Sequence, residues 1–240
     1  MLARSPELLA LLADGGEAAD VRVDAAAGTA DSRRYALRAA DLRQPERVAA
    51  ALASAGVDLR RAPPAARGMP CRCAHATLRC PSRRSVPTLV LLECVLVYME
   101  PHEAAELLRW AAAALPTAAV VLYDPTRPHD AVGKQMLLNL AARGCPLVGI
   151  AGGADPAAHA ARLRAAGWAR AAAADMDDVY RRFLDPEPRA AAERREMLDE
   201  IEEWTLIQRH YALALGVNDA TPGGMLGGLT LEPAAAFGST

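Results

Sequence analysis

The chain has 240 residues, a length that supports one large domain with a full hydrophobic core. Its formal net charge of -2 argues against an overall electrostatic footprint for nucleic acid or for a membrane surface. No apolar run approaches the roughly 18–20 residues of a membrane span, and the five irregularly spaced cysteines do not form a disulfide framework. We therefore expect a monomeric cytoplasmic protein that contacts neither nucleic acid nor membrane.

The chain divides by composition into four parts. Residues 1–59 form a short α/β segment, and residues 60–85 form an irregular stretch rich in proline, arginine and cysteine. Strands and helices alternate over residues 86–220, and residues 221–240 form a tail. In chain order, the first predicted elements are a strand (88–98), a helix (101–116), a strand (118–123) and two helices (130–143 and 155–167). They are followed by a weak strand (168–174), a short helix capped by Asp175, a charged helix (188–203) and a last strand (210–215).

The alternation predicts a Rossmann-like α/β fold with a mostly parallel sheet and helices on both faces. The apolar runs at 88–98 and 118–123 are typical of parallel strands that are buried on both sides. Ligands of such sheets bind at the carboxyl ends of the strands. The candidate site residues are therefore those that end the predicted strands: Asp41, Leu42, Glu93, Tyr98 and Tyr123.

From the residues alone, a candidate can be interpreted either as a ligand contact or as a structural residue. Asp41 either accepts a hydrogen bond from an adenine amine or caps the helix that follows it. Glu93 lies within an apolar run, where a buried carboxylate costs several kcal/mol unless it is paired. It is therefore either a ligand contact or half of a structural salt bridge. Tyr98 and Tyr123 either border a cleft or mark the rim of the core.

The run PTLVLLECVLVYMEP at 87–101 closely resembles the signature strand of leucine carboxyl methyltransferases. Collinear similarity continues in DSRRYALRAADLR at 31–43, RGCPL at 143–147, DMDDVY at 175–180 and LDEIEEWTLIQRHYALALGVNDA at 198–220. The resemblance implies a class I S-adenosylmethionine-dependent methyltransferase. Its substrate would be the α-carboxylate of a C-terminal leucine, above all in the tail of the protein phosphatase 2A catalytic subunit.

The resemblance also implies roles for the candidate residues. Asp41, Leu42 and Glu93 would contact S-adenosylmethionine, and Tyr98 and Tyr123 would contact the substrate. No catalytic residue is assigned, because a C-terminal carboxylate has a pKa near ~3.5 and is already ionised at pH 7. No histidine has the sequence neighbours of a catalytic dyad, and His210 is expected to be structural. We predict that Asp41 and Glu93 face one cleft.

A glycine-rich loop that follows a buried strand and opens a helix is not found in the sequence. The resemblance implies that this cofactor loop lies upstream of Met1, so this chain alone is expected to be a poor methyltransferase. Two alternatives stay open: a related transfer RNA wybutosine-type carboxyl methyltransferase, and a non-catalytic remnant that only binds protein partners. Cys71, Cys73, Cys80 and His75 have a spacing that matches no standard zinc site, and no metal is expected.

Overall fold

The computed structural model describes residues 21–32, 35–57, 87–195, 199–221 and 223–232. The chain divides into two compact units, Met1–Arg61 and Ala62–Thr240. The predicted insert at 60–85 lies outside the described residues, as do Cys71, Cys73, Cys80 and His75. None of the helices in the described ranges is long and apolar enough to cross a membrane.

Within its described residues, the first unit contains a small antiparallel sheet and a helix. Strands β1 (Arg22–Asp24), β2 (Thr29–Asp31) and β3 (Ala36–Leu37) lie in that order. Helix α1 (Pro45–Ser54) follows, with Pro45 in its first turn, where proline's missing N–H leaves no helical hydrogen bond unmade. The sequence predicted a short α/β segment over residues 1–59, and the extent of that segment stays a prediction.

The second unit is a four-stranded sheet with helices. Its elements are β4 (Thr88–Glu93), a 3₁₀ turn (Leu96–Tyr98), α2 (Pro101–Ala114), β5 (Thr117–Pro125), α3 (Ala131–Ala142), a 3₁₀ turn (Ile150–Gly153), α4 (Pro156–Ala165), β6 (Arg170–Asp175), α5 (Met176–Asp178), a π-helical turn (Val179–Phe183), α6 (Pro186–Glu193), α7 (Ile201–Arg209) and β7 (Tyr211–Asp219).

The strand order in this sheet is β4-β5-β7-β6. Strand β4 pairs with β5 in parallel, whereas β7 runs antiparallel to both of its neighbours. Three of the four strands therefore point the same way, and only the last strand in the sequence is reversed. This mixed α/β sheet confirms the predicted fold class.

Three aspartates cap helices, and the sequence predicted the cap at two of them, Asp155 and Asp175. Asp130 accepts a hydrogen bond from the Gly133 N–H at 2.8 Å, which begins α3. Asp155 accepts from the Ala158 N–H at 2.7 Å, so α4 begins at Pro156 as expected. Asp175 accepts from the Asp178 N–H at 2.9 Å. Each carboxylate satisfies a backbone donor that has no partner within its own helix.

Two predicted elements differ in the structure. Strand β4 ends at Glu93 rather than at residue 98, because Cys94 adopts a positive φ of 49°, which takes the backbone out of the extended conformation. The predicted charged helix at 188–203 is two helices, α6 and α7, separated by a turn that begins at Arg194. The charged residues of that stretch did not indicate that the helix is interrupted between α6 and α7.

The two faces of the sheet are covered differently. Ala118, Val120 and Leu122 share one face and are fully buried. Trp168 packs on that face over Gly216, where a Cβ would lie 3.1 Å from the indole. On the opposite face, a cluster of Ala119, Leu215 and Val217 is covered by Leu226 and Leu231. Part of the predicted tail at 221–240 therefore packs on the sheet.

Candidate active site at the carboxyl edge of the sheet

Five side chains meet where β4 and β5 end and β7 begins. Glu93 is the register partner of Tyr123, and Pro125 is the register partner of Tyr211. Cys94 and Tyr98 follow β4 directly. We call this group, Glu93, Cys94, Tyr98, Tyr123 and Tyr211, the carboxyl-edge cluster. It lies at the edge of the sheet where the sequence predicted a ligand site.

Tyr123 and Tyr211 form the centre of the carboxyl-edge cluster. Their rings stack with centroids 5.1 Å apart and planes 8° from parallel. Burial is the main cause that raises the pKa of both phenols. Tyr211 further raises the pKa of Tyr123, and Cys94 and Tyr98 further raise the pKa of Tyr211. Both hydroxyls are therefore protonated at neutral pH and can donate hydrogen bonds. Tyr123 was a predicted substrate contact, whereas Tyr211 was not singled out from the sequence.

Glu93 is exposed, which corrects the expectation that its carboxylate is buried within the strand. The expectation assumed that β4 is covered on both sides. In the described part of the chain, however, Leu89 and Leu91 on the same face are 66% and 61% exposed. Glu93 therefore needs no structural salt bridge, and its charge stays available to a cationic ligand. Burial and Asp124 raise the pKa of Cys94, and the Glu93 charge makes a smaller contribution in the same direction. Burial, Tyr211 and Cys94 raise the pKa of Tyr123, and Glu93 again adds a smaller contribution.

Tyr98 does not end the strand, as the sequence had indicated, but closes the 3₁₀ turn after it. The Cys94 N–H donates to the Tyr123 carbonyl at 2.7 Å, so the parallel hydrogen bonding of β4 to β5 extends to the residue after Glu93. Tyr98 is 49% exposed and is an electrostatic neighbour of Tyr211. The structure thus brings Glu93, Tyr98 and Tyr123 together in one cluster, although by a different local route.

Asp124 points away from the carboxyl-edge cluster, because neighbouring residues of a strand face opposite sides of the sheet. Its side chain is 2% exposed, and Oδ2 accepts a hydrogen bond from Arg162 Nη2 at 3.3 Å. Burial raises the pKa of Asp124 to about 6, while Arg162 and the Val97 N–H oppose that rise. Of the two neighbouring residues Tyr123 and Asp124, only the tyrosine lines the site.

Asp41 and Leu42 lie in the first unit, in the segment between β3 and α1. Asp41 neither ends a strand nor caps a helix, because β3 ends at Leu37 and the residue before α1 is Gln44. Arg43 donates to its carboxylate from Nε at 2.9 Å and from Nη2 at 2.8 Å. These hydrogen bonds lower the pKa of Asp41 to about 2. A cleft shared by Asp41 and Glu93 stays a prediction.

His210 has a carboxylate neighbour that the sequence did not reveal. Its Nε2 lies 3.0 Å from both carboxylate oxygens of Asp130, and its Nδ1 lies 2.7 Å from the Leu206 carbonyl. Both ring nitrogens are therefore engaged, and the side chain is 4% exposed. A general base needs a free nitrogen that faces a substrate. The pair ties β7 to α3, in agreement with the structural role expected for His210.

The carboxyl-edge cluster suits a cationic ligand. A carboxylate attracts a cation, and tyrosine faces attract cations through the ring quadrupole. Within the described residues, no group of three or more His, Cys, Asp or Glu side chains has the arrangement of a metal site. The cluster therefore offers charge, hydrogen-bond donors and aromatic surface to a ligand.

Comparison with known proteins identifies relatives, although no protein-family model matches the chain. It is 40% identical over 136 residues to a leucine carboxyl methyltransferase 1 homolog of Arabidopsis thaliana, covering 57% of this chain and 41% of that protein. It is 37% identical over 181 residues to human tRNA wybutosine-synthesizing protein 4, covering 75% and 23%. It is also 41% identical over 140 residues to leucine carboxyl methyltransferase 1 of Emericella nidulans, covering 55% and 37%. The matched part spans less than half the length of each relative.

The fold and these relatives define the class: a mixed α/β chain whose homologues are methyltransferases. Within that class, the resemblance to leucine carboxyl methyltransferases that the run at 87–101 indicated is confirmed at 35–41% identity.

Proposed function

We propose that this chain transfers a methyl group from S-adenosylmethionine to the α-carboxylate of a C-terminal leucine. The observation that carries the proposal is the carboxyl-edge cluster, in which Glu93, Tyr98 and Tyr123 come together in a chain that is 40% identical to a leucine carboxyl methyltransferase homolog. The proposed substrate is the C-terminal tail of the protein phosphatase 2A catalytic subunit. We further propose that the chain acts in the cytoplasm as a monomer.

Binding and orientation account for the proposed reaction. When bound, S-adenosylmethionine supplies an electrophilic methyl group on a sulfonium centre. The substrate carboxylate is already ionised at neutral pH, so no general base is needed. Tyr98 and Tyr123 hold the carboxylate through their hydroxyls, and Glu93 attracts the cationic end of the donor. Methylation neutralises the carboxylate, so hydrogen-bond donors that bind the charged carboxylate too strongly would oppose the reaction. Neutral phenols bind and orient the carboxylate without stabilising its charge as strongly as a cationic side chain would.

Asp41 and Leu42 are proposed to contact the adenine. The Asp41 carboxylate, ionised above a pKa of about 2, can accept a hydrogen bond from an exocyclic amine, and the Leu42 N–H can donate to a ring nitrogen. Arg43 already bonds both oxygens of Asp41, so an adenine amine would share that carboxylate with the guanidinium. A carboxylate has about four lone-pair sites, which permits this sharing.

A second candidate function is carboxyl methylation of a hypermodified guanosine in transfer RNA. One observation favours it: the match to human tRNA wybutosine-synthesizing protein 4 covers 75% of this chain, more than the 57% matched by the Arabidopsis relative. The net charge of -2 argues against it, because RNA binding depends on neutralising phosphates with basic side chains.

A methyl-transfer assay separates the candidates. The full chain is incubated with radiolabelled S-adenosylmethionine and a peptide that ends in leucine, the same peptide with an amidated C-terminus, or transfer RNA. We expect base-labile label in the free-carboxylate peptide alone, at the low level of a poor methyltransferase. Label in transfer RNA alone would favour the second candidate, and donor binding without transfer would favour a non-catalytic remnant.

Variants link the activity to the carboxyl-edge cluster. We expect Glu93→Gln to weaken donor binding by about 10- to 100-fold, because one charged interaction of roughly 1.5–3 kcal/mol is lost. Tyr180→Phe is the matched control, since Tyr180 contacts Trp204 in a separate aromatic pair. Equal donor affinity in Glu93→Gln and in the unsubstituted chain would contradict the assignment of Glu93.

A further inference from the structure

A buried polar group lies on the side of the sheet opposite the carboxyl-edge cluster. Arg162 of α4 has a side chain that is 11% exposed, and its Nη2 lies 3.3 Å from Asp124 Oδ2 and 3.1 Å from His159 Nδ1. Burial is the largest cause that lowers the pKa of His159 to about 4, and the positive charge of Arg162 is the second largest. His159 is therefore neutral at pH 7, and its Nδ1 can accept a hydrogen bond from the guanidinium. Arg162 thus joins an ionised and a neutral acceptor.

Asp124 connects this group to the turn that carries Tyr98. The Val97 N–H favours the ionised carboxylate of Asp124 to a smaller extent than Arg162 does, and within the described residues Asp124 Oδ1 makes no hydrogen bond. Val97 is 2% exposed and directly precedes Tyr98. The backbone of the 3₁₀ turn therefore lies close to the buried Asp124, while the next side chain reaches the carboxyl-edge cluster.

A glycine-containing loop fills the space between α4 and the same turn. The Gly149 N–H donates to the Val97 carbonyl at 2.8 Å, and a Cβ on Gly149 would lie 2.3 Å from the Leu96 carbonyl oxygen. At the other end of the loop, a Cβ on Gly153 would lie 2.3 Å from the His159 ring. A side chain at either glycine would push the turn and α4 apart. The loop therefore transmits the position of α4 to the turn.

We propose that Arg162, acting through Asp124 and the glycine-containing loop, is a positioning residue that fixes the orientation of Tyr98 in the carboxyl-edge cluster. The link to substrate binding rests on the proposed function, whereas the link from Arg162 to Tyr98 rests on the contacts of Arg162 with Asp124 and His159 and on those of the glycine-containing loop with His159 and Val97. Stability does not explain the pair, because buried ion pairs are often no more stabilising than apolar residues of the same volume. Fixing one geometry is an effect that an apolar replacement would not reproduce.

The orientation of Tyr98 is measured directly by nuclear magnetic resonance on the full chain with ¹³C-labelled tyrosine rings. The chain has five tyrosines, and Tyr98→Phe assigns the signal of interest. We expect Arg162→Ala and Asp124→Asn to shift or broaden the Tyr98 signal and to leave the Tyr180 signal unchanged. Arg162→Lys is expected to restore the Tyr98 signal, because one nitrogen serves both acceptors. Arg164→Ala on the same helix is the control, since Arg164 bonds only the Ala171 carbonyl.

A kinetic measurement distinguishes this proposal from the proposed function. If the chain methylates a leucine-ending peptide, we expect Arg162→Ala to raise the peptide KM about tenfold while the donor KM stays unchanged. A folded Asp124→Asn variant with an unaltered Tyr98 signal would overturn the positioning role. A displaced Tyr98 signal in a chain that methylates neither peptide nor transfer RNA would support the positioning role and refute the proposed function. Asp124→Asn keeps the side-chain volume, so it serves if Arg162→Ala does not fold.

Discussion

The loop before α4 accepts no side chain at Gly153, because a Cβ there would lie 2.3 Å from Cε1 and 2.4 Å from Nε2 of the buried His159. We expect Gly153→Ala to lower the free energy of unfolding by about 1–3 kcal/mol, the usual cost of overpacking. Gly228→Ala is the control, since nothing lies within 4 Å of a Cβ at that position. Urea titration compares the two, and equal midpoints would show that the loop has more room than the structure indicates.

Asp124 gives the chain a pH dependence of defined sign. Its folded pKa of about 6 lies above the ordinary value of 3.8, so folding favours its protonated form. Its contribution to stability is fully present below about pH 3.8 and is lost as the pH rises through 6. The unsubstituted chain loses this contribution between pH 4 and 7, whereas Asp124→Asn has no group there to titrate. The difference in free energy of unfolding, Asp124→Asn minus the unsubstituted chain, is therefore expected to rise by roughly 2–3 kcal/mol over that range. A pH-independent difference in urea titrations would contradict the raised pKa.

At the scale of elements, the C-terminal segment belongs to the fold. Arg170 Nη2 donates to the Leu226 carbonyl at 2.7 Å, and Leu226 packs against Leu215 and Val217. We expect Leu226→Ala to lower the free energy of unfolding by about 1–2 kcal/mol, since the side chain is only partly buried. Met225→Ala should change it by less than about 0.5 kcal/mol, because Met225 is 56% exposed. Thermal unfolding of both variants tests this, and equal midpoints would mean that the segment does not cover the sheet.

Features encoded by neighbouring residues were predictable from the sequence, whereas features set by distant pairing were not. Asp155 followed by Pro156 identified the start of α4, because capping is a local interaction. The stacking of Tyr211 on Tyr123 depends on the reversed direction of β7, which no local pattern encodes. The end of β4 depends on a positive φ at Cys94, a residue type that gives no such signal. Glu93 was found from its charge, but its exposure depends on what covers β4.

At the scale of the whole molecule, β4 presents apolar side chains to solvent. In the described part of the chain it pairs only with β5, and Leu89 and Leu91 are more than half exposed. We propose the monomer as the functional unit, and we expect this exposed strand to cause non-specific aggregation as the concentration rises, because exposed apolar edges template further pairing. Leu91→Gln should reduce light scattering at rising concentration and leave the fold intact. Leu92→Gln, at a buried position, should unfold the chain. Unchanged scattering in a folded Leu91→Gln variant would exclude β4 as the contact.

The strand order has a consequence for the time course of folding. Strand β6 is complete at Asp175, yet its partner in the described sheet is β7, which begins at Tyr211 and lies between β6 and β5. On the ribosome, β6 and β5 therefore cannot be joined until the last of these strands has been synthesised. Such non-local pairing slows folding and prolongs the exposure of apolar surface. Nascent chains arrested before residue 211 are thus expected to show rapid amide hydrogen exchange in β6, and protection is expected to begin only once residue 219 has left the exit tunnel.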